Sequence, residues 1–183
     1  MTLMTKPGVE PLKVEPKAIE EAAKLLYIRA CKILPDDIKA GFARLDGSET
    51  DATARTILAT MIENIGVAER LDNLHCQDTG IPIFNVQDGR NVQVDGWALK
   101  EAIAKGTARA TREHPLRSSV VHPITRKNEH TSCGERVPVI NIDFTDAERE
   151  LRIEMIPKGS GSENGSFLQM LIPADGVAAV KRF

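Results

Sequence analysis

A chain of 183 residues, 42% hydrophobic and 27% charged, has the balance of a folded protein with apolar mass for one substantial core or two small ones. Its formal net charge is −2, and its lysines and arginines are scattered, which excludes the electrostatic footprint of a nucleic-acid or anionic-membrane binder. No apolar run approaches membrane-spanning length and the first residues lack the apolar stretch of a secretion signal, so the expected location is cytoplasmic.

In chain order, residues 17–34 place Ile19, Ala22, Ala23, Leu26, Ala30 and Ile33 at helical spacing, and Pro35 stops the run. Cys31 lies beside that stripe and reads as packing. Ser48-Glu49-Thr50-Asp51 is a capping-box signature, after which Ala54, Ile57, Leu58, Met61, Ile62 and Ile65 keep an i, i+3, i+4 pattern that Gly66 ends. Residues 81–86 (Ile-Pro-Ile-Phe-Asn-Val) predict a strand. A third helix starts after Asp95, carries Trp97, Leu99, Ala102 and Ile103, and ends before His114-Pro115. Residues 137–144 and 150–156 predict two more strands, expected as an antiparallel pair around Thr145-Asp146-Ala147-Glu148. Asp175-Gly176 opens a last helix in which the sequence stops, so the chain is expected to be a region of a longer protein. With no repeat and no internal boundary, the predicted class is α+β, a helical N-terminal portion packed on a mixed, largely antiparallel sheet core.

The chemistry-bearing residues gather in a few segments. His75-Cys76-Gln77-Asp78-Thr79-Gly80 sets a soft sulfur ligand two positions from a carboxylate, a spacing suited to metal-assisted proton chemistry. The competing reading is a structural cysteine followed by an Asp-initiated turn. Asp78-Thr79-Gly80 also has the triplet of aspartic proteases, but it follows His-Cys-Gln in a chain whose first half is helical, which disfavours that class. A Cys-His hydrolase would need a partner for Cys76 among His75, His114 and His122, and nothing fixes one. Leu116-Arg117-Ser118-Ser119 places an arginine able to grip a carboxylate bidentately. The run from Pro157 to Gly165 follows a strand, so its N–H groups can cradle an anion. It lacks a P-loop ending, and no GxGxxG occurs, so nucleotide binding is disfavoured. Residues 128–135 mix His, Cys and Glu without a recognised ligand spacing and read as a polar loop. Three widely spaced cysteines with no CxxC pair form neither a disulfide framework nor a self-contained zinc site.

Taken in order, His75-Cys76-Gln77-Asp78-Thr79-Gly80, Leu116-Arg117 with His122-Pro123-Ile124-Thr125-Arg126-Lys127-Asn128, and Pro157-Lys158-Gly159-Ser160-Gly161-Ser162-Glu163-Asn164 resemble the iron-sulfur hydro-lyases. The similarity is to the N-terminal or alpha region of class I fumarate hydratases and L(+)-tartrate dehydratases, and it runs from residue 76 to 183. It implies a four-iron four-sulfur (4Fe-4S) cluster held by three cysteines, with one iron open to substrate. Carried over residue by residue, Cys76 is the first cluster ligand. Gln77 and Asp78 contact the substrate, with Asp78 the candidate proton-transferring base. Arg117 holds a substrate carboxylate, and the loop from Gly159 to Gly161 supplies backbone contacts.

The departures are equally specific. The family's second and third cluster cysteines lie beyond the 159–165 loop, and neither Cys31 nor Cys133 stands at a ligand position, so the chain offers one ligand of three and is expected to be inactive alone. Asn128 to Cys133 departs from the Asn-Thr-Gly of many relatives. The resemblance implies reversible hydration of fumarate to malate, with L(+)-tartrate dehydration or a non-catalytic assembly module as alternatives. The implied partners are a small dicarboxylate and a beta subunit or C-terminal domain in a homodimer or heterotetramer, with no nucleic acid and no membrane.

Overall fold

The computed structural model describes residues 10–183. Its first helix, α1 (Pro16–Lys32), has a proline in its opening turn, where the missing N–H costs nothing. It buries Ile19, Ala23, Tyr27, Ile28 and Cys31 along one face. A short strand, β1 (Leu12–Lys13), precedes it and pairs in parallel with β3 (Val92–Gln93). Immediately beyond Pro35 a helix absent from the predicted elements forms, α2 (Asp36–Ser48), with Asp36 and Asp37 favourably placed in its first turn. It buries no residue, so its apolar pattern carries little core signal.

The next helix, α3 (Ala52–Arg70), departs from the predicted capping in two ways. Its N-cap is Asp51, whose carboxylate accepts from the Ala54 N–H at 2.8 Å. Ser48 instead closes α2, and Glu49 accepts from the Thr50 and Asp51 N–H groups at 2.7 and 2.9 Å. The helix also runs through Gly66 to Arg70, because the backbone there is ordinary and a glycine within a helix costs only about 1 kcal/mol relative to alanine. Most of its apolar stripe stays exposed, Ile57 at 57% and Met61 at 46%.

The central strand is β2 (Ile81–Gly89), flanked by β4 (Val139–Thr145) in parallel and β5 (Leu151–Lys158) in antiparallel orientation, which gives a mixed sheet of order β4-β2-β5. The expected β4–β5 hairpin is therefore replaced by two strands on opposite sides of β2. The reason lies in β2 itself, which buries Pro82, Phe84 and Val86 on its core face and needs a neighbour on each edge. The turn between β4 and β5 crosses its end, where the N–H groups of Gly89, Arg90 and Asn91 donate to Glu150, Ala147 and Glu148 carbonyls at 3.0, 2.8 and 2.9 Å. A Cβ at Gly89 would lie 2.6 Å from the Glu150 carbonyl oxygen, so glycine is what admits the crossing.

Helix α4 (Gly96–Glu113) is capped by Asp95, which accepts from the Ala98 N–H at 2.8 Å, and it ends before His114 as its sequence predicts. It lies against α1, and the core joins Ile19 and Ala23 of α1, Leu99 and Ile103 of α4, and Phe84 and Val86 of β2. The crossing is close at Gly106, where a Cβ would sit 2.3 Å from the Glu20 carbonyl oxygen. Arg109 spans the helices, reaching Glu20 at 2.8 Å and Glu21 at 3.1 Å. Past β5 the chain forms the short α5 (Ser160–Asn164) and, at the last described residues, α6 (Gly176–Arg182). No helix among the described residues is long and apolar enough to cross a membrane.

Candidate active site

The turn that carries Cys76 and Asp78 is held between α1, the 116–118 segment and the end of β5. The Cys76 side chain is exposed, and its sulfur accepts the Asp78 N–H at 3.4 Å, which fixes residues 76–78 as a small hook. Thr79 is buried, its hydroxyl donating to the Arg117 carbonyl at 2.6 Å. Tyr27 is fully buried, and its hydroxyl lies 3.2 Å from the Thr79 carbonyl and 3.5 Å from Ser132 Oγ. Ser132 in turn meets the Thr111 hydroxyl at 3.1 Å and donates its N–H to Ser118 Oγ at 3.0 Å. A buried polar web thus ties the turn to α1, α4 and both ends of the 118–132 loop. Tyr27→Phe removes one donor and leaves a buried carbonyl short of a partner. It is expected to cost about 1–2 kcal/mol, measurable as a lowered urea midpoint at unchanged slope.

Asp78 is where the two distant glycine motifs meet. Its Oδ1 accepts the Gly80 N–H at 3.1 Å, and its Oδ2 accepts both the N–H and the hydroxyl of Ser160, at 2.8 and 3.1 Å. The Ser160 N–H above all, joined by Gly80, the Ser160 hydroxyl and the positive charge of Arg117, holds the carboxyl below the usual aspartate range against a partial desolvation that opposes them. Asp78 is therefore ionised at neutral pH. Two glycines make the approach possible. Gly80 adopts a φ of +70° with a Cβ position 2.7 Å from the Lys158 backbone, and a Cβ on Gly159 would lie 2.9 Å from Asp78 Oδ2. Gly161 meets nothing within 4 Å and faces open space.

Arg117 and Gln77 are exposed, and the Arg117 guanidinium makes no ion pair among the described residues. Other cations nearby are engaged, Lys158 with Glu163 at 2.8 Å and Lys127 with Glu129 at 2.7 Å. Beside the turn, the loop 119–137 walls an open hollow of about 760 Å³ that includes Ile81, Ser119, His122 and Lys127. His122 Nδ1 accepts the N–H groups of Ile124 and Thr125 at 3.2 and 3.1 Å, so this histidine serves as a turn cap. Residues 128–135 form a polar loop. Asn128 donates to the Ser118 carbonyl at 2.9 Å and accepts the His130 N–H at 2.8 Å.

The three cysteines are free thiols. Burial pushes the Cys31 thiol up to about 12 and raises that of Cys133, which donates to the Ala104 carbonyl at 3.4 Å. Both are thus neutral thiols at ordinary pH. Among the described residues, no group of three His, Cys, Asp or Glu side chains is placed to hold a metal ion. His75 turns inward, its two ring nitrogens buried without a hydrogen-bond partner among the described residues, and burial lowers its pKa against the opposing charge of Glu69. It lies beside Cys76 in sequence but not as its hydrogen-bond partner.

Of the residues singled out by sequence, Cys76, Asp78 and Gly159 join directly at one turn, and Arg117 is bound to it through its carbonyl. Ser160 and the Tyr27, Thr111, Ser118 and Ser132 web were missed. Tyr27 sits four residues after Ala23 on the buried face of α1, which was the one available signal. For Ser160 there was none beyond its place between two glycines.

The model of the fumarate hydratase (Fumerase) family matches residues 20–183. The chain belongs to that family. Within it, the chain is 39% identical over 167 residues to a putative L(+)-tartrate dehydratase subunit alpha of Methanocaldococcus jannaschii, an alignment covering 90% of this chain and 59% of that protein. It is 30% identical over 156 residues to a putative fumarate hydratase class I of Geobacillus stearothermophilus, covering 85% of this chain and 30% of that one. The L(+)-tartrate dehydratase subunit alpha of Escherichia coli is 29% identical over 153 residues, 82% of this chain and 49% of its own length. The chain thus spans between about a third and three fifths of these fumarate hydratase family relatives, which are named as hydratases and dehydratases.

Proposed function

We propose that this chain is the substrate-gripping portion of an iron-sulfur hydro-lyase that reversibly hydrates fumarate to malate in the cytoplasm. The observation that carries the reading is the convergence on one turn of an exposed thiol, an ionised carboxylate and a guanidinium with no ion pair among the described residues, beside a backbone loop with an open glycine. Arg117 grips one carboxylate of a small dicarboxylate, and the Gly159–Gly161 backbone and Gln77 orient the rest. Three of the roughly four lone-pair sites of Asp78 are filled by Gly80 and Ser160. The remaining site on Oδ1 takes up or returns the substrate proton. Its lowered pKa keeps it in the basic form, at some cost in driving force.

Cys76 fits a cluster ligand, since its sulfur is exposed and already accepts an N–H, as metal-bound thiolates do in their outer shell. Cys31 and Cys133 do not fit, being largely buried, neutral thiols that each point at a backbone carbonyl. The chain therefore offers one ligand to a 4Fe-4S cluster, and the others come from polypeptide outside residues 1–183. When bound, the cluster supplies a Lewis-acidic iron for the oxygen that leaves or attacks. The name "subunit alpha" on two of the relatives supports a beta partner.

L(+)-tartrate is the second reading, supported by the higher identity to the tartrate dehydratase subunit (39%) than to the class I fumarate hydratase (30%). The test is anaerobic turnover of both acids after reconstitution with iron and sulfide, in the presence of the polypeptide that completes the site. The expected result is activity that air destroys. A formed cluster with neither acid consumed overturns both substrate assignments, and failure to form any cluster favours a non-catalytic assembly module. Two variants sharpen the assignment. Cys76→Ser is expected to abolish iron and sulfide uptake, read by metal analysis and the loss of visible absorbance. Arg117→Ala is expected to raise KM by about 10²-fold, the loss of about 3 kcal/mol for a charged hydrogen bond, with a smaller change in kcat.

A further inference from the structure

Asp78 and Arg117 come to the site on two separate segments. The hydrogen bonds of the Asp78 carboxylate go to Gly80 and Ser160, and the Arg117 guanidinium makes no ion pair among the described residues. The two charges still act on each other, since Arg117 contributes to the lowered pKa of Asp78. The gap between them is therefore set by the main chain that carries each. Among the described residues one hydrogen bond joins the 76–80 turn to the 116–118 segment, and it runs from Thr79 Oγ1 to the Arg117 carbonyl at 2.6 Å.

Both ends of that bond are built into the interior. Thr79 is 1% exposed, and its carbonyl lies 3.2 Å from the Tyr27 hydroxyl, so the residue is held from two sides. A β-branched side chain also keeps χ1 narrow, which fixes the direction of the hydroxyl. On the other segment Leu116 is buried with Tyr27, Ile28 and Ala110. Ser118 is buried as well, its carbonyl accepting from Asn128 Nδ2 at 2.9 Å and its Oγ from the Ser132 N–H at 3.0 Å. Arg117 thus projects an exposed side chain from a main chain clamped before, at and after it. All of these contacts lie within the chain. Packing alone asks only for the volume of Thr79, whereas the placement of its hydroxyl ties one candidate functional group to the other.

We propose that Thr79 is a positioning residue, which spaces the Arg117 guanidinium from the Asp78 carboxylate to fit one carboxylate of a small dicarboxylate and the carbon bonded to it. The inference rests on the proposed reading of Arg117 as the grip and Asp78 as the proton-transferring group. In fumarate, malate or tartrate the carbon that gains or loses the proton is bonded directly to a carboxylate. Gripping that carboxylate therefore fixes how far the carbon lies from Asp78, and a misplacement of about 1 Å costs on the order of 10²-fold in rate. The flexible Arg117 side chain still finds the carboxylate when its main chain shifts, so binding survives and alignment does not.

Thr79→Val keeps the shape and removes the donor. In the enzyme completed by its remaining polypeptide, assayed anaerobically on whichever of fumarate and L(+)-tartrate it consumes, this variant is expected to lower kcat by about 10–10²-fold with KM within about 3-fold of the parent. Succinate, which has neither a double bond nor a hydroxyl to react, is expected to bind with nearly the parent's affinity by calorimetry. Thr79→Ser keeps the hydroxyl and is expected to hold kcat within about 3-fold of the parent. Thr79→Ala removes the donor without setting a methyl against the Arg117 carbonyl, is expected to repeat the kcat loss, and carries the test if the valine variant does not fold. In an Arg117→Ala background Thr79→Val is expected to lower kcat by less than about 3-fold, since no grip remains to be spaced. A parent-like kcat in Thr79→Val or Thr79→Ala overturns the inference. So does an equal loss of kcat with and without Arg117, which marks Thr79 as a structural residue only. Unchanged KM and succinate affinity in Arg117→Ala alone overturn the reading of Arg117 as the grip, and this inference with it.

Discussion

Gly106→Ala is expected to destabilise the chain by about 2–3 kcal/mol, as overpacking at a backbone contact commonly does. The added methyl would sit 2.3 Å from the Glu20 carbonyl oxygen and 2.9 Å from Ala23 Cβ. Neither neighbour is a flexible side-chain tip, so α1 and α4 have to move apart. Alanine contributes about 1 kcal/mol of helix propensity over glycine, which offsets only part of that cost. Separating the helices also stretches the Arg109 bridges to Glu20 and Glu21 and loosens the Ile19, Leu99 and Ile103 contacts with β2. For a chain of 183 residues the melting temperature is expected to fall by roughly 5–10 °C. Thermal unfolding by circular dichroism checks this, and a variant as stable as the parent would show that the crossing is not a close-packed contact.

Asp78→Asn is expected to lower kcat of the completed enzyme by about 10²–10⁴-fold, the range a positioned proton-transfer group contributes. The amide is nearly isosteric, yet it can offer a single acceptor oxygen to the Gly80 and Ser160 donors, and its NH₂ then faces a donor. The loop at 159–161 loses its anchor to the Cys76 turn in the same step. The sign of the pH effect follows from the lowered pKa of Asp78. Its contribution to stability is full above the unfolded aspartate value and fades as pH falls through the lower folded value. The stability difference between parent and Asp78→Asn should therefore be constant near neutrality and shrink in acid below the ordinary aspartate range, which denaturant titrations at several pH values measure. A difference that persists unchanged into strong acid would mean that the carboxylate charge is not what holds the loop.

The long helices and the chemistry-bearing segments were legible in the chain because their signals are local. Apolar spacing with Pro35 gave α1, and Asp95 with His114-Pro115 bounded α4. A thiol near a carboxylate, an arginine after a helix and a glycine-rich run after a strand each marked a candidate site by residue type. Local signals also misled where a competing local choice was close in energy. Ser48 and Asp51 are both good N-caps, and only α2, which buries nothing and so leaves little periodic trace, uses up Ser48 at its end. Gly66 resembles a helix stop, but nothing at that point draws the backbone out of the helix.

What the sequence by itself determined is the inventory: an α+β chain, the family motifs, and Cys76, Asp78, Arg117 and Gly159 as candidates. Strand partnership was decided by tertiary structure, because β4 and β5 carry patterns that satisfy either a hairpin or a place on each side of β2, and only the two-sided demand of β2 chooses. The state of each side chain was decided there too. Cys31 and Cys76 are the same residue type, yet one is buried on the inner face of α1 with its thiol pushed up to about 12 and the other stands in solvent on a turn. The Ser160–Asp78 clamp joins positions 82 residues apart, a contact that no periodicity records, since it exists only once β5 has delivered the glycine loop to the end of the Cys76 turn.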